Sequence, residues 1–302
     1  MLPFSRVAVI GLGLIGSSIA RAVREHMPSV RVTAFDADPE VRATVVRLGL
    51  CDDVADSAGA AVIDSDFVIL CVPVGAMGEA ATAIAEDLPA DAIVSDVGSC
   101  KESVVAALTS ALPGATIIPA HPVAGTERSG PEAGFASLFH NRWCIVTPPE
   151  GSNPLAIERV LEFWRRLGSQ VETMEPHHHD RVLAVTSHLP HLIAYTIVGT
   201  ASDLEEVTAS EVIKYSAGGF RDFTRIAASD PTMWRDVFLA NKDAVLDMLQ
   251  RFSEDLTALQ RAIRWGKGDE LFDLFTRTRA VRRNIVESGQ DDSRPDFGRA
   301  HD

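Results

Sequence analysis

A single histidine ends an apolar run in the segment IIPAHPVAGTERSG, which extends from Ile117 to Gly130. An imidazole titrates near neutral pH, so His121 could accept a proton from a substrate hydroxyl. Pro122 restricts the backbone of His121 to an extended conformation, which helps to aim the ring. A hydrogen-bonded histidine at a strand end is the alternative, and we predict that His121 is catalytic.

The segment VAVIGLGLIGSSIARAV carries three glycines in G-x-G-x-x-G spacing, after a predicted strand and at the start of a predicted helix. In this context Gly11 permits a tight turn, Gly13 lets the backbone approach a pyrophosphate, and Gly16 allows close packing of helix and strand. A structural turn without a nucleotide is the alternative. The residues predicted to bind a dinucleotide here are Gly11, Leu12, Gly13, Leu14, Ile15 and Gly16.

An acidic residue ends the second predicted strand, since Asp36 lies 20 residues after Gly16. A carboxylate at this place can accept hydrogen bonds from a ribose 2′-hydroxyl and would repel a 2′-phosphate. No arginine follows immediately, so NAD is favoured over NADP as the cofactor. Val72 and Pro73 end the third predicted strand, and we expect them to shield the adenosine side of the cofactor.

A second polar residue, Ser99, ends the fourth predicted strand in the segment SDVGSCK, and the fifth predicted strand ends at His121. In the common doubly wound order, strands 1, 4 and 5 are neighbours and ligands bind beyond their carboxyl ends. We therefore expect Ser99 beside both His121 and the nicotinamide end of the cofactor. The hydroxyl could fix the tautomer of the imidazole and share a substrate proton. Ser99 could equally be the N-cap of the helix that follows.

Short runs rich in Val and Ile alternate with helical patterns as far as about Met174, and helical patterns follow. This order predicts an α/β fold, with a Rossmann-type doubly wound, mostly parallel sheet followed by an all-helical dimerisation domain. The expected boundaries are residues 1–174 for dinucleotide binding and 175–290 for substrate binding and dimerisation, with a disordered tail at 291–302. One helix of about 50 Å is expected from Asp230 onward. Its apolar surface predicts a homodimer.

The composition excludes several classes of partner. The net charge of −14 and the pI near 5.1 argue against nucleic acid and anionic membranes. Four cysteines without C-x-x-C spacing indicate reduced thiols and a cytoplasmic protein. We expect neither a signal peptide nor a membrane span. The segment HHHD, residues 177–180, is interpreted as a solvated helix start and not as a metal site, because consecutive histidines cannot face one point.

Five motifs, taken together, resemble the prephenate and arogenate dehydrogenase family of tyrosine biosynthesis, over about Val7 to Glu287. They are GLGLIGSS, SDVGSCK, HPVAGTERSG, SHLPH and GGFRDFTRIAASDPTMWRDVFLANK. The resemblance implies that hydride passes from ring C4 of the substrate to NAD(P)⁺ while the ring carboxylate leaves as CO2. The products would be 4-hydroxyphenylpyruvate, tyrosine or both.

The resemblance also implies a substrate site. The family's arginine falls on Arg225, whose guanidinium can hold a carboxylate bidentately. Asp222 and Glu127 are the partners expected to orient Arg225, and Trp234 is expected either to pack in a helix or to reach a partner subunit's site. The remaining residues implied to bind substrate are Thr126, His188, His191 and Gly219.

Two other functions remain open at this point. One is another two-domain NAD-dependent dehydrogenase of the β-hydroxyacid type, and the other is a non-catalytic NAD-sensing protein. The choice between prephenate and arogenate is also open, although Glu132 could pair with the ammonium group that only arogenate carries.

Overall fold

The computed structural model describes residues 2–126, 128–203, 211, 214 and 218–287, without the side chain of residue 286. The chain divides into two compact units, Met1–Val245 and Leu246–Asp302.

The first unit is built on a six-stranded, wholly parallel sheet with the order β3-β2-β1-β4-β5-β6. The adjacent strands β4 and β5 are buried along their whole length, as expected for a sheet covered on both faces. The strands are β1 (Arg6–Ile10), β2 (Arg31–Phe35), β3 (Asp53–Val54), β4 (Phe67–Leu70), β5 (Ile93–Asp96) and β6 (Thr116–Ile117).

The predicted neighbours of the first strand are wrong in one respect. Strand β1 lies between β2 and β4, and β5, which leads to Ser99, lies one position farther away. The short strand Asp53–Val54 pairs with β2 and was not predicted. This short strand is the third in chain order, so the strands predicted as third, fourth and fifth become β4, β5 and β6 in the order 3-2-1-4-5-6.

His121 belongs to a second sheet of three strands with the order β7-β8-β9. These strands are β7 (Ala120–Pro122), β8 (Trp143–Val146) and β9 (Gln170–Thr173), and β7 runs antiparallel to β8. The predicted strand that ended at His121 therefore divides between two sheets. The division falls at Pro119, since proline has no N–H to donate to a ladder.

Helices cover the parallel sheet and continue the first unit. Side chains on its two faces form separate apolar clusters, one around Ile19, Phe67 and Trp164 and the other around Leu70, Met77 and Val104. The helices as far as the second sheet are α1 (Leu14–His26), α2 (Pro39–Leu48), α3 (Ala58–Val62), α4 (Met77–Thr82), α5 (Glu102–Ala111) and α6 (Pro154–Arg166).

One continuous helix, Pro176–Ser202, follows the second sheet. It consists of α7 (Pro176–Leu183), a π-turn (Ala184–His188) and α8 (Leu189–Ser202). Pro190 cannot donate the regular helical hydrogen bond, and the wider turn just before it accommodates this loss.

This helix is less buried than its apolar sequence predicts. By length and composition alone it could cross a membrane. Of its most apolar stretch of 18 residues, 28% is buried inside the protein. His179, Asp180 and His188 on the same helix are completely or almost completely buried within the first unit. Exposed apolar residues such as Val185, Ile197 and Val198 occupy another part of its surface.

The predicted 50 Å helix is wrong, because the chain breaks at Asn241. The structure has α9 (Gly218–Thr224), α10 (Pro231–Ala240), α11 (Lys242–Arg264) and α12 (Gly268–Glu287). Asn241 has φ −110° and ψ 32°, outside the α-helical region, and its side chain donates to two groups on the Pro176–Ser202 helix. Helix α11 alone is about 35 Å long.

The predicted domain boundary after residue 174 stays a prediction, and the predicted tail at 291–302 lies outside the described residues. Large apolar side chains are exposed within the second unit: Ile263 on α11, Trp265 in the turn that follows it, and Phe272 on α12.

Candidate active site

The glycine loop has the geometry that a dinucleotide requires. Gly11 has φ +95°, and a Cβ atom there would lie 2.5 Å from the carbonyl oxygen of Cys71. A Cβ on Gly16 would lie 1.9 Å from the carbonyl oxygen of Gly11. Gly13, in contrast, has no atom within 4 Å of an added Cβ, so its backbone borders open space. The two outer glycines thus permit the fold, and the middle one leaves room for a ligand.

Asp36 follows β2 and lies against this loop. Its Oδ2 atom accepts a hydrogen bond from the backbone N–H of Leu12 at 2.7 Å, and its Oδ1 accepts one from Asp38 at 3.0 Å. The carboxylate is thereby held next to the turn where a ribose would bind. Leu14 and Ile15 begin α1 and are half-buried.

Val72 and Pro73 lie where predicted, after β4. The Cγ1 atom of Val72 is 3.0 Å from the position of a Cβ on Gly11, so Val72 borders the glycine loop. Pro73 is exposed. The residues present therefore fit a dinucleotide in this cleft: an open backbone at Gly13, a helix N-terminus at α1 and a carboxylate at Asp36.

The His121 ring is buried, with 8% of its surface exposed, and its partner is another histidine. The distance from His121 Nδ1 to His179 Nε2 is 2.9 Å. Burial lowers the pKa of His121 well below its usual range, and the positive charges of His179, Lys101 and His188 lower it further. His121 is therefore a neutral base at neutral pH.

The interpretation of HHHD as a solvated helix start is wrong for two of its four residues. His177 and His178 are exposed, whereas His179 and Asp180 are buried. His179 Nδ1 lies 2.8 Å from Asp180 Oδ1. The sequence signal for this pair was weak, because only helical spacing separates the inward histidine from its two outward neighbours. Within the described residues, no group of three or more His, Cys, Asp or Glu could hold a metal ion.

Asp180 also holds the start of α5. Its Oδ1 accepts from the backbone N–H of Lys101 at 2.7 Å, and its Oδ2 accepts from that of Glu102 at 2.9 Å. Burial raises the pKa of Asp180, but hydrogen bonds from His179 and from these two N–H groups outweigh it and lower the pKa overall. Asp180 is thus a buried carboxylate that links its own helix to the start of α5.

Ser99 is not the N-cap of α5, because Lys101 occupies that position and Asp180 satisfies its first N–H groups. Ser99 is half-buried. Burial raises the pKa of the neighbouring Cys100 thiol to about 12, and a hydrogen bond with Ser99 opposes that rise. The hydrogen bond of the His121 ring runs to His179, so the contact between Ser99 and His121 stays a prediction.

A buried ion pair supports the strand of His121 and was missed in the sequence. Lys101 Nζ donates to Asp96 Oδ2 at 2.6 Å and to the carbonyl oxygen of Ala120 at 2.7 Å. Both charged side chains are fully buried. Buried charges of this kind require a partner, and here the ammonium also fixes the residue that precedes His121.

His188 lies inside the fold and does not face an open site. It is fully buried, its Nδ1 atom lies 3.0 Å from Asn241 Nδ2, and its ring packs edge-on against Trp234. Burial lowers the pKa of His188 to about 4. Its geometry is that of a structural residue behind the His121 cluster.

His191 and Trp234 lie together, and the role of Arg225 in binding a substrate carboxylate stays a prediction. The rings of His191 and Trp234 stack with centroids 3.6 Å apart, and Trp234 is buried. His191 Nδ1 lies 2.9 Å from the carbonyl oxygen of Ser187. Burial lowers the pKa of His191, and the positive charge of Arg225 lowers it further. Arg225 itself is exposed.

The remaining predicted residues have mixed outcomes. Thr126 is exposed and accepts from the backbone N–H of Arg128 at 3.2 Å, and Gly219 borders open space. Asp222 pairs with Arg221 at 3.5 Å, and its predicted role beside Arg225 stays a prediction. Glu127 lies outside the described residues.

Glu132 does not support a preference for arogenate. Its Oε1 atom pairs with Arg47 at 2.7 Å, at the surface. The carboxylate therefore already has a partner on α2, and the choice between prephenate and arogenate stays open.

Comparisons with known proteins agree with this architecture. Residues 19–173 match the family described as the nucleotide-binding domain of prephenate dehydrogenase, and residues 175–277 match its dimerization domain. The chain is 45% identical to a cyclohexadienyl dehydrogenase of Zymomonas mobilis over 93% of its own length and 96% of that protein.

Two further relatives extend the comparison. The chain is 33% identical to a prephenate dehydrogenase of Bacillus subtilis, over 92% of this chain and 76% of that protein. It also resembles the crystal structure of a prephenate dehydrogenase from A. aeolicus in complex with hydroxyphenyl propionate and NAD+, with a TM-score of 0.87 and 34% identity. That match covers 93% of this chain and 98% of the other. The chain therefore belongs to the prephenate dehydrogenase family.

Proposed function

We propose that this protein catalyses the NAD-dependent oxidative decarboxylation of prephenate, arogenate or both. The observation that carries the proposal is His121, a buried and neutral imidazole in the same unit as a glycine loop open at Gly13. A dehydrogenase that oxidises an alcohol needs both a dinucleotide and a base for the hydroxyl proton. The family to which the chain belongs supplies the substrate class.

The proposed reaction needs one proton acceptor, and His121 is assigned to that role. The imidazole takes the proton of the C4 hydroxyl, and NAD⁺, when bound, accepts the C4 hydrogen as hydride. The ring carboxylate leaves as CO2, and the electron pair of its C–C bond enters the ring, which becomes aromatic. No strong carbon base is required, because no C–H proton is removed. Ser99 is assigned to the substrate hydroxyl beside His121.

The group around Arg225 is assigned to the substrate's carboxylates. A guanidinium binds a carboxylate through two parallel hydrogen bonds, and the acidic surface of this protein makes a fixed cation necessary. His191 is stacked on Trp234, so its ring is held in place for a substrate contact. Thr126, Gly219 and Asp222 are assigned to the same site on the resemblance, as is Glu127, which lies outside the described residues.

Asp36 is assigned to the discrimination between NAD and NADP. Its carboxylate is fixed by the backbone N–H of Leu12, and a 2′-phosphate beside it would meet a like charge. Asp36→Ala should weaken NAD⁺ binding and narrow its advantage over NADP⁺. A wild-type protein that turns over NADP⁺ faster than NAD⁺ at equal concentration would contradict this assignment.

The active form is proposed to be a homodimer through its helical domain. The domain match names dimerization, and α12 exposes Phe272 at 70% and Phe275 at 56%. Exposed apolar patches of this kind normally mark interfaces. Sedimentation at micromolar concentration should show twice the 32.5 kDa mass of one chain. A single species of the monomer mass would refute the dimer.

A reducing compartment suits the thiols, since all four cysteines are free and two of them are buried. Together with the biosynthetic family, this supports a cytoplasmic location.

One assay separates the proposed reaction from its rivals. Protein is incubated with NAD⁺ and either prephenate or arogenate, and NADH formation is followed at 340 nm. Turnover of at least one substrate, with release of CO2, is expected. A β-hydroxyacid dehydrogenase would reduce NAD⁺ only when a β-hydroxy acid is supplied. An NAD-sensing protein would not reduce NAD⁺ with any of these substrates. The ratio of kcat/KM for the two cyclohexadienyl substrates then assigns the preference.

A further inference from the structure

Three side chains form a continuous line of hydrogen bonds that ends at His121. Asp180 Oδ1 is 2.8 Å from His179 Nδ1, and His179 Nε2 is 2.9 Å from His121 Nδ1. All three are buried, with His179 at 0% exposure and Asp180 at 1%. Such a line fixes where each proton lies, because every nitrogen must either donate or accept.

The direction of the line follows from Asp180. Its two oxygens already accept hydrogen bonds from the backbone N–H groups of Lys101 and Glu102. The direction of these bonds is fixed, because a backbone N–H can only donate. Asp180 is therefore a carboxylate that can only accept, and His179 Nδ1 must be the donor. A neutral His179 then presents a lone pair at Nε2, so His121 Nδ1 must donate to it.

Burial keeps His179 neutral, since it lowers the pKa of that imidazole, and hydrogen bonding to Asp180 only partly opposes this effect. A protonated His179 would donate to His121 Nδ1 and reverse the last bond. The other ionisable groups that surround the line are Asp96, Lys101, His188, Cys100 and Cys144.

We propose that Asp180 and His179 are positioning residues that hold His121 in the tautomer protonated on Nδ1, which leaves Nε2 as its basic nitrogen. The proposal rests on the proposed function, because it names how the base of that reaction is oriented. It also explains why the start of α5 is capped by a residue 78 positions away in sequence. The same carboxylate fixes both the helix that follows Ser99 and the ring of His121.

The test pairs two substitutions at one position. His179→Leu removes the acceptor, whereas His179→Gln can place its side-chain oxygen near the former Nε2. We expect kcat of the Leu variant to fall at least about tenfold, and by no more than the roughly 10²–10⁴-fold that a general base contributes. KM for NAD⁺ should stay unchanged, and the Gln variant should recover most of kcat. His178→Leu and His178→Gln, at the exposed neighbour, are the matched controls and should keep wild-type kcat.

A second measurement requires neither turnover nor folded His179 variants, only a folded His121→Asn protein for assignment. In wild-type protein with ¹⁵N-labelled histidine, the His121 signals are assigned by their loss in His121→Asn. Near neutral pH they should show a proton on Nδ1 and none on Nε2. The opposite tautomer would overturn the proposal, as would equal losses of kcat in the Leu and Gln variants or none in either. If wild type turns over neither substrate, the proposed function fails, and the tautomer alone decides this inference.

Discussion

The glycine loop and the His121 cluster differ in how they are assembled. The loop consists of six consecutive residues, Gly11 to Gly16, and one acid on the next strand. The cluster draws on β7, on the start of α5 and on the Pro176–Ser202 helix, whose His179 lies 58 residues from His121 in sequence. The comparison shows that a local motif carries its own geometry, whereas a buried base depends on partners that the fold brings from elsewhere.

The largest expected effect tests the base of the cluster. His121→Asn keeps a polar group but cannot accept a proton at neutral pH, so kcat should fall by about 10²–10⁴. KM for NAD⁺ should stay close to wild type, because the glycine loop is a separate local structure. The wild-type kcat should decline in acid only below pH 6.5, since the pKa of His121 is lowered. A variant that retains most of its kcat and the same acidic decline would place the base elsewhere.

The next effect concerns the substrate and not the cofactor. Arg225→Gln should raise KM for prephenate or arogenate by roughly 10- to 100-fold, because a hydrogen bond to a charged group contributes about 1.5–3 kcal/mol. Steady-state kinetics with each substrate measures this change. NAD⁺ affinity and the melting temperature are the controls and should hardly move. If NAD⁺ affinity and the melting temperature both fall, Arg225 has a structural role.

The glycine loop itself can be tested with two alanines. Gly13→Ala adds a methyl group in open space, so the melting temperature should stay close to wild type. The Kd for NAD⁺ should rise about tenfold, because the methyl group occupies the space where the pyrophosphate would approach the backbone. Gly16→Ala places a Cβ atom 1.9 Å from the Gly11 carbonyl oxygen and should lower the melting temperature. Calorimetric titration and thermal unfolding separate the two. If Gly13→Ala binds NAD⁺ normally, the cofactor does not approach the loop as proposed.

The smallest effect is on stability and comes from His188. Its pKa in the folded protein is about 4, below the value of about 6.5 in an unfolded chain. The unfolded state therefore binds more protons between these values, and stability falls as pH falls through this window. The expected loss from pH 7.5 to pH 5 is about 2 kcal/mol.

Urea unfolding at a fixed protein concentration measures this loss at both pH values. His188→Asn keeps an acceptor for Asn241 but does not titrate, so its loss should be smaller than that of wild type by about 2 kcal/mol. Equal losses in the two proteins would show that His188 is not responsible.

Sequence reasoning succeeded where one residue type has one physical meaning. The glycine spacing, the acid at Asp36 and the parallel sheet were all predicted. It failed where a residue could serve two purposes. His179 stands between an exposed neighbour and a buried one, and its type does not say which way it faces. Asn241 suits a helix as well as a break, and the break follows the two groups that its amide contacts.

The sequence by itself determined the α/β architecture, the glycine loop and the presence of a histidine at the end of an apolar run. These features depend on short-range periodicity and on the conformational freedom of glycine, and both can be recognised from residues that are close in sequence. Only the tertiary structure decided that His121 belongs to a second sheet, that Lys101 and Asp96 form a buried pair beneath it, and that His179 and Asp180 hold its ring. Burial gives these contacts their effect, because removing water strengthens each charge and shifts each pKa. Burial at a given position is a property of the whole fold.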